Sequence, residues 1–158
     1  FSGAIPATYS QKITVLLLSH NDFTSVMPQT LRNLTNLASI DFHDNNIRDL
    51  SNNQLSGEIP DTLGDLKNLK VLNISHNKLS GRIPTSLGDM NNLESLDLSY
   101  NGLSGEIPQT FGKLLQLNNL ELCNNKLTGR IPNGPQMDRL NNPLSFANNS
   151  GLCGMQIQ

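Results

Sequence analysis

Apolar and polar positions along this chain keep a fixed beat. Leu69, Leu93 and Leu117 stand 24 residues apart, and so do Leu72, Leu96 and Leu120. Each interval holds more than one pattern. At Leu96-Asp97-Leu98 apolar and polar residues alternate, the period-2 signature of a strand with both leucines turned inward and Asp97 turned out. The spacing predicts strands over 69–74, 93–98 and 117–122. Downstream comes a Leu-Ser-Gly-x-Ile-Pro stretch, whose glycine allows a tight turn and whose Ile-Pro pair suits a short second strand. A Leu-Gly-x-Leu portion then returns over the opposite side as irregular or 3₁₀ structure.

The text itself repeats. Asn53-Gln54-Leu55-Ser56-Gly57-Glu58-Ile59-Pro60 recurs with small changes at Asn77–Pro84, Asn101–Pro108 and Asn125–Pro132. Weaker copies lie upstream, through Leu16, Leu18, Asn21, Phe23 and Pro28, then Ile40, Phe42, Asn45 and Ile47. One such unit cannot bury its own apolar stripe, so stability arises from stacking neighbours into a continuous core. Six strand segments at about 4.8 Å spacing make a short arc of roughly 24 Å. The apolar residues are then used by the core, and nothing supports an apolar ligand cavity.

The unit reads L-x-x-L-x-L-S-x-N-x-L-S-G-x-I-P-x-x-L-G-x-L-x-x, the leucine-rich repeat pattern. The expected fold class is an α/β solenoid: a right-handed leucine-rich repeat superhelix with a parallel β-sheet on its concave face. Asn21, Asn45, Asn53, Asn77, Asn101 and Asn125 sit at the strand ends and are read as a structural ladder. A buried amide must be hydrogen-bonded, and adjacent coils offer backbone groups that otherwise lack partners.

Composition agrees with a repeat. Leucine (27 residues) and asparagine (22) together make 49 of 158 residues, with no Trp and only seven aromatics, too few for an ordinary jigsaw core. Eleven Lys and Arg against thirteen Asp and Glu give a net charge of −2, without the clustered basic excess of a nucleic-acid surface. The longest apolar run, Val15-Leu16-Leu17-Leu18, is far short of the roughly 20 residues that span a bilayer. The start, Phe1-Ser2-Gly3, does not read as a signal peptide.

Catalytic, cofactor and metal constellations are not expected. His20, His43 and His76 lie on different coils without Cys or carboxylate partners at metal-ligand spacing, and His20 and His76 share a rim slot with Tyr100 and Asn124. The serines belong to the repeat and have no accompanying base. The outward strand slot is more informative. Coil by coil it holds Leu17, Asp41, Asp49, Asn73, Asp97 and Glu121, either an acidic stripe for a basic partner or solvated consensus positions. Glu94, Asp97, Tyr100 and Glu121 are the candidate protein-binding residues, an amphipathic aromatic among acids. The slot before each Ile-Pro holds Glu58, Arg82, Glu106 and Arg130, alternating in sign, and is read as a charge ladder fixing the stacking register. Asn33, Asn73 and Asn148 begin N-x-Ser/Thr sequons and are expected to carry N-linked sugar. Cys123 replaces the serine of its slot and Cys153 lies near the end; a bridge between them and free thiols are both open.

The Leu-Ser-Gly-Glu-Ile-Pro text resembles plant-type leucine-rich repeats in the ectodomains of receptor-like proteins and receptor-like kinases. Ser145-Phe146-Ala147-Asn148-Asn149-Ser150-Gly151-Leu152-Cys153-Gly154 is similar to their C-terminal cap. The resemblance implies irregular N-terminal repeats over 1–48, four regular repeats over 49–132 and a cap over 133–158. Asn45 and Asn53 are eight residues apart where the beat requires 24, so about 16 are expected to be missing near 46–50, at the place where the family carries a non-repeat island. The chain also begins mid-repeat and stops before the second cap cysteine, as a fragment would.

By resemblance, the expected function is a non-enzymatic extracellular recognition module at the plant cell surface or cell wall, serving defence or development signalling. It needs no cofactor. Its partner would be a short leucine-rich repeat co-receptor kinase, and its parent would be anchored by a membrane helix. Two rivals stand beside this: a secreted inhibitor of a cell-wall enzyme, similar to polygalacturonase-inhibiting proteins, and a structural protein that self-associates through the open apolar coil at Ile13 to Leu18.

Overall fold

The computed structural model describes residues 1–44 and 55–154. The chain winds as a right-handed solenoid. Its concave face is a parallel sheet of Val15–Leu17, Ser39–Asp41, Val71–Asn73, Ser95–Asp97 and Asn119–Glu121, hydrogen-bonded in that order. The middle residue of each strand, Leu16, Ile40, Leu72, Leu96 and Leu120, is buried, and Leu98 is fully buried beyond its strand while Asp97 faces out. The assigned strands are shorter than predicted. The ladder nonetheless continues through Ile74 N–H to Asp97 C=O and Leu98 N–H to Glu121 C=O.

Buried residues stack in columns, each rung supplied by one coil: Leu79, Leu103 and Leu127; Ile59, Ile83, Ile107 and Ile131; Leu69, Leu93 and Leu117. The convex side is a row of 3₁₀ segments, Gln29–Asn33, Asp61–Asp65, Thr85–Asp89 and Gln109–Lys113. Each follows a proline, Pro28, Pro60, Pro84 or Pro108. The Ile-Pro pairs therefore lead into 3₁₀ turns, and the second strands, such as Ser56–Glu58 and Ser104–Glu106, end just before them. Proline has no N–H for a ladder, so pairing stops where it stands.

The coil-to-coil offset corrects one expectation. Ser39 pairs with Val71, an offset of 32, whereas Val15 pairs with Ser39 and Val71 with Ser95 at offsets of 24. Ser39–Asp41 and Val71–Asn73 are bonded directly to each other, so the concave sheet has five strands among the described residues rather than six, and Asp49 lies outside the described residues. The offset of 32 is eight more than the 24 that separates the other paired strands. Parallel pairing fixes only the two strands, and lengthening the connection between them costs little closure entropy. Asn45, Asn53 and the junction at 46–50 lie outside the described residues.

The second correction concerns register. Among the described residues, no ion pair joins Glu58, Arg82, Glu106 or Arg130. The stems of Glu58, Arg82 and Glu106 instead lie across the glycine of the next coil, Gly81, Gly105 and Gly129. Gly81 has φ +75°, and a Cβ there would stand 2.7 Å from Glu58 Cγ; at Gly129, φ +79°, it would stand 2.8 Å from Glu106 Cγ. Close approach and a left-handed backbone both demand glycine here.

After Arg130 the solenoid is closed by a short helix, Pro135–Arg139, a 3₁₀ turn, Pro143–Phe146, and a strand, Gly151–Cys153, which pairs with Lys126–Arg130. Met137 and Phe146 bury themselves over the last coil, and the Gln136 side-chain amide donates to Leu117 C=O.

Candidate functional site

Where each strand ends, the chain turns through a residue in the left-handed region. His20, Asp44, His76, Tyr100, Asn124 and Asn148 all have φ between 53° and 57°. Asn, Asp and His are enriched in this conformation; for other non-glycine residues it costs on the order of 1–2 kcal/mol. The next residue turns inward. Asn101 donates from Nδ2 to Ile74, Leu98 and Ser99 C=O at 3.1, 3.2 and 3.2 Å, and its Oδ1 accepts from Leu79 N–H at 3.0 Å. Asn125 repeats this set one coil on, with Oδ1 accepting from Leu103 N–H at 3.0 Å. Asn77 donates likewise to Phe42, Ile74 and Ser75 C=O, but its Oδ1 is buried without a partner. Asn21, on the first coil, donates to Leu18 and Ser19 C=O.

Sequence reasoning missed a rung. Asn149 donates to Leu122, Phe146 and Ala147 C=O and accepts from Leu127 N–H, the full ladder set. Its signal was available, since it stands 24 residues after Asn125. A second asparagine ladder was also missed: on the return side, Asn36, Asn68 and Asn92 each donate to the preceding coil, at Gln11, Thr35 and Lys67 C=O.

The candidate binding residues lie on the strands and rim of the concave side, and one oxygen of each of the three carboxylates is already engaged. Glu94 Oε1 is 3.0 Å from Lys70 Nζ, with both side chains about half exposed. Asp97 Oδ1 accepts from Ser99 N–H at 3.0 Å and Ser99 Oγ–H at 2.6 Å. Glu121 Oε1 accepts from Ser145 Oγ–H at 3.1 Å. Asp41 is bound by the His43 ring and backbone N–H. The outward column is Leu17, Asp41, Asn73, Asp97 and Glu121 in register.

Tyr100 is not isolated. It is 48% exposed, and its ring stacks on His76 with centroids 4.1 Å apart and planes at 14°. On the first coils His20 meets the His43 ring edge-on at 4.7 Å and lies 3.4 Å from Asp44. Further along, Asn148 Nδ2 donates to Asn124 Oδ1 at 2.8 Å.

Among the sequons, Asn33 and Asn148 are exposed. Asn73 is half-buried, and its Oδ1 accepts from Ser75 N–H and Oγ–H, the turn that Asp97 makes with Ser99. Asn73-Ile74-Ser75 is thus the repeat's Asp-Leu-Ser turn with an amide in place of the carboxylate. Cys123 and Cys153 are free thiols. Among the described residues no group of His, Cys, Asp and Glu could hold a metal, and no helix is long and apolar enough to cross a membrane. Burial pushes the Tyr9 phenol above its ordinary range, on the first coil's return side.

Comparison with known proteins agrees with this geometry. Two family models described as leucine-rich repeats match, one over residues 49–103 and the other over 12–34 and 116–137. Over 110 residues the chain is 84% identical to Receptor-like protein 46 of Arabidopsis thaliana, a stretch that is 70% of this chain and 14% of that protein. The ectodomain of the Arabidopsis membrane receptor kinase GASSHO1/SCHENGEN3, solved in complex with CASPARIAN STRIP INTEGRITY FACTOR 2, superposes with a TM-score of 0.79 at 38% identity, covering 97% of this chain and 17% of that one. A chain of the Arabidopsis BIR3–SERK2 complex superposes with a TM-score of 0.73 at 34% identity, covering 88% of this chain and 70% of that one.

Proposed function

The chain belongs to the leucine-rich repeat family, in its plant receptor-like form, and from that premise we propose that it is a non-enzymatic extracellular recognition module that docks a protein partner on its concave face. One observation carries the reading: the distribution of charge over that face. In register, the strand ends place Asp41, Asp97 and Glu121 in one outward column, with Asp44 on the rim. Along the strand and rim columns of the described residues the only Lys or Arg is Lys70, and it is held by Glu94. The cations Lys78, Arg82, Lys126 and Arg130 sit instead on the second-sheet side. A face of one sign steers an oppositely charged partner and raises its association rate.

The partner class is a basic protein surface, such as that of a short leucine-rich repeat co-receptor kinase; a chain similar to this one was solved in the BIR3–SERK2 complex. The cellular role, defence or development signalling, belongs to the parent protein. Asn33 and Asn148 are accessible for N-linked sugar, and a sugar on Asn73 would stand in the middle of the concave face and confine docking to the coils on either side of it. Association of the co-receptor ectodomain is followed by surface plasmon resonance across a salt series. The double variant Asp97→Asn with Glu121→Gln should slow association and flatten its salt dependence with little change in dissociation. Unaltered association would move the interface elsewhere.

A further inference from the structure

We propose that the stacked pair His76 and Tyr100 is a platform for a guanidinium group, so that the partner of the concave face presents an arginine there; this rests on reading that face as a protein-docking surface. Both residues hold the left-handed rim slot at φ 53°. Asn, Asp and His are the non-glycine residues best suited to that backbone, and His20, Asp44, Asn124 and Asn148 fill the same slot elsewhere, which leaves Tyr100 as the exception. The backbone therefore accepts the imidazole but does not favour the phenol. The core does not require them either, because both side chains are exposed. What the two rings build is a two-coil stack standing on the rim: at 4.1 Å and 14° each covers one face of the other and leaves one flat outer face.

Flat cations are attracted to such a surface. The ring quadrupole favours a cation over its face, and arginine, unlike lysine, stacks its plane while its N–H groups remain free to donate. Acceptors are at hand. Asp97 ends the strand three residues before Tyr100, and with Oδ1 taken by Ser99 its Oδ2 has no hydrogen-bond partner among the described residues. Glu121 is in register with Asp97 on the next strand and uses Oε1 for Ser145. Among the described residues Arg82 and Arg130 lie with the second-sheet strands, Arg32 in a convex 3₁₀ segment and Arg139 in the short helix after the last coil, so none of these stands in the rim column.

The test is a titration of the 158-residue chain with three synthetic peptides identical except for arginine, lysine or citrulline at two positions, read by NMR on the His76 and Tyr100 ring protons. The arginine peptide should shift both rings and saturate. The lysine peptide should bind about fivefold or more weakly, and the uncharged citrulline peptide should leave the rings unmoved. Tyr100→Asn should abolish the arginine preference without lowering Tm by more than about 2 °C, and Tyr100→Phe should keep it. Equal binding of arginine and lysine peptides, or a preference that survives Tyr100→Asn, overturns the platform while leaving the docking surface standing. The docking surface fails separately, through unaltered co-receptor association in the Asp97→Asn, Glu121→Gln variant.

Discussion

Two columns run side by side along this solenoid and obey different rules. Asn77, Asn101, Asn125 and Asn149 form one; His76, Tyr100, Asn124 and Asn148 are their immediate neighbours in the chain. In the first column the residue never changes, because each coil poses the same demand: a buried amide that donates to three carbonyls and, on three of the four rungs, accepts one N–H. In the second the backbone demands only a left-handed φ, and the side chains of His76, Tyr100 and Asn148 are exposed while Asn124 is half-buried. Uniformity marks the architecture, and variation at a costly position marks where a surface has been free to specialise.

The sharpest way to break that contrast is in the core beneath both columns. Leu98→Ala should lower stability by about 2–5 kcal/mol, measured by denaturant unfolding, as expected for a fully buried leucine whose cavity cannot collapse between stacked coils. Asn101→Ala should follow at about 1–3 kcal/mol, because Leu79 N–H and the carbonyls around it lose their partner. Its neighbour should behave in the opposite manner. Tyr100→Ala should leave the unfolding midpoint nearly unchanged and weaken co-receptor binding by about 1–2 kcal/mol, read by calorimetry. Smallest of all, Arg82→Ala should change stability by no more than about 0.5 kcal/mol, since its guanidinium makes no ion pair among the described residues. A larger loss would restore the charge ladder that its alternation with Glu58 and Glu106 suggested.

The legibility of the chain follows the same division. Strand positions, convex 3₁₀ turns and the ladder at Asn77, Asn101 and Asn125 were readable because each is repeated, and a repeated demand leaves a repeated letter. Asn149 was overlooked although it keeps the beat, because the surrounding cap text no longer resembles the repeat. The stacking of Tyr100 on His76 was not readable. The two belong to the same slot, but nothing in a list of slot residues says that their rings lie parallel at 4.1 Å. The pairing of Glu94 with Lys70 was hidden for the same reason, and it leaves Asp97 and Glu121 as the carboxylates of the candidate group not held by an ion pair.

The sequence by itself determined the period, the inward column of leucines, the glycines and the buried asparagines, because burial and backbone conformation act on one residue at a time and repeat with every coil. The tertiary structure decided the rest: that Ser39–Asp41 bonds directly to Val71–Asn73, that Glu58 lies over Gly81 without an ion pair to Arg82, and which rim side chains meet. Those outcomes depend on the register and distance between neighbouring coils. Residues 24 or 32 positions apart in the chain become neighbours only when parallel strands pair, and the geometry of that pairing is written in no single repeat.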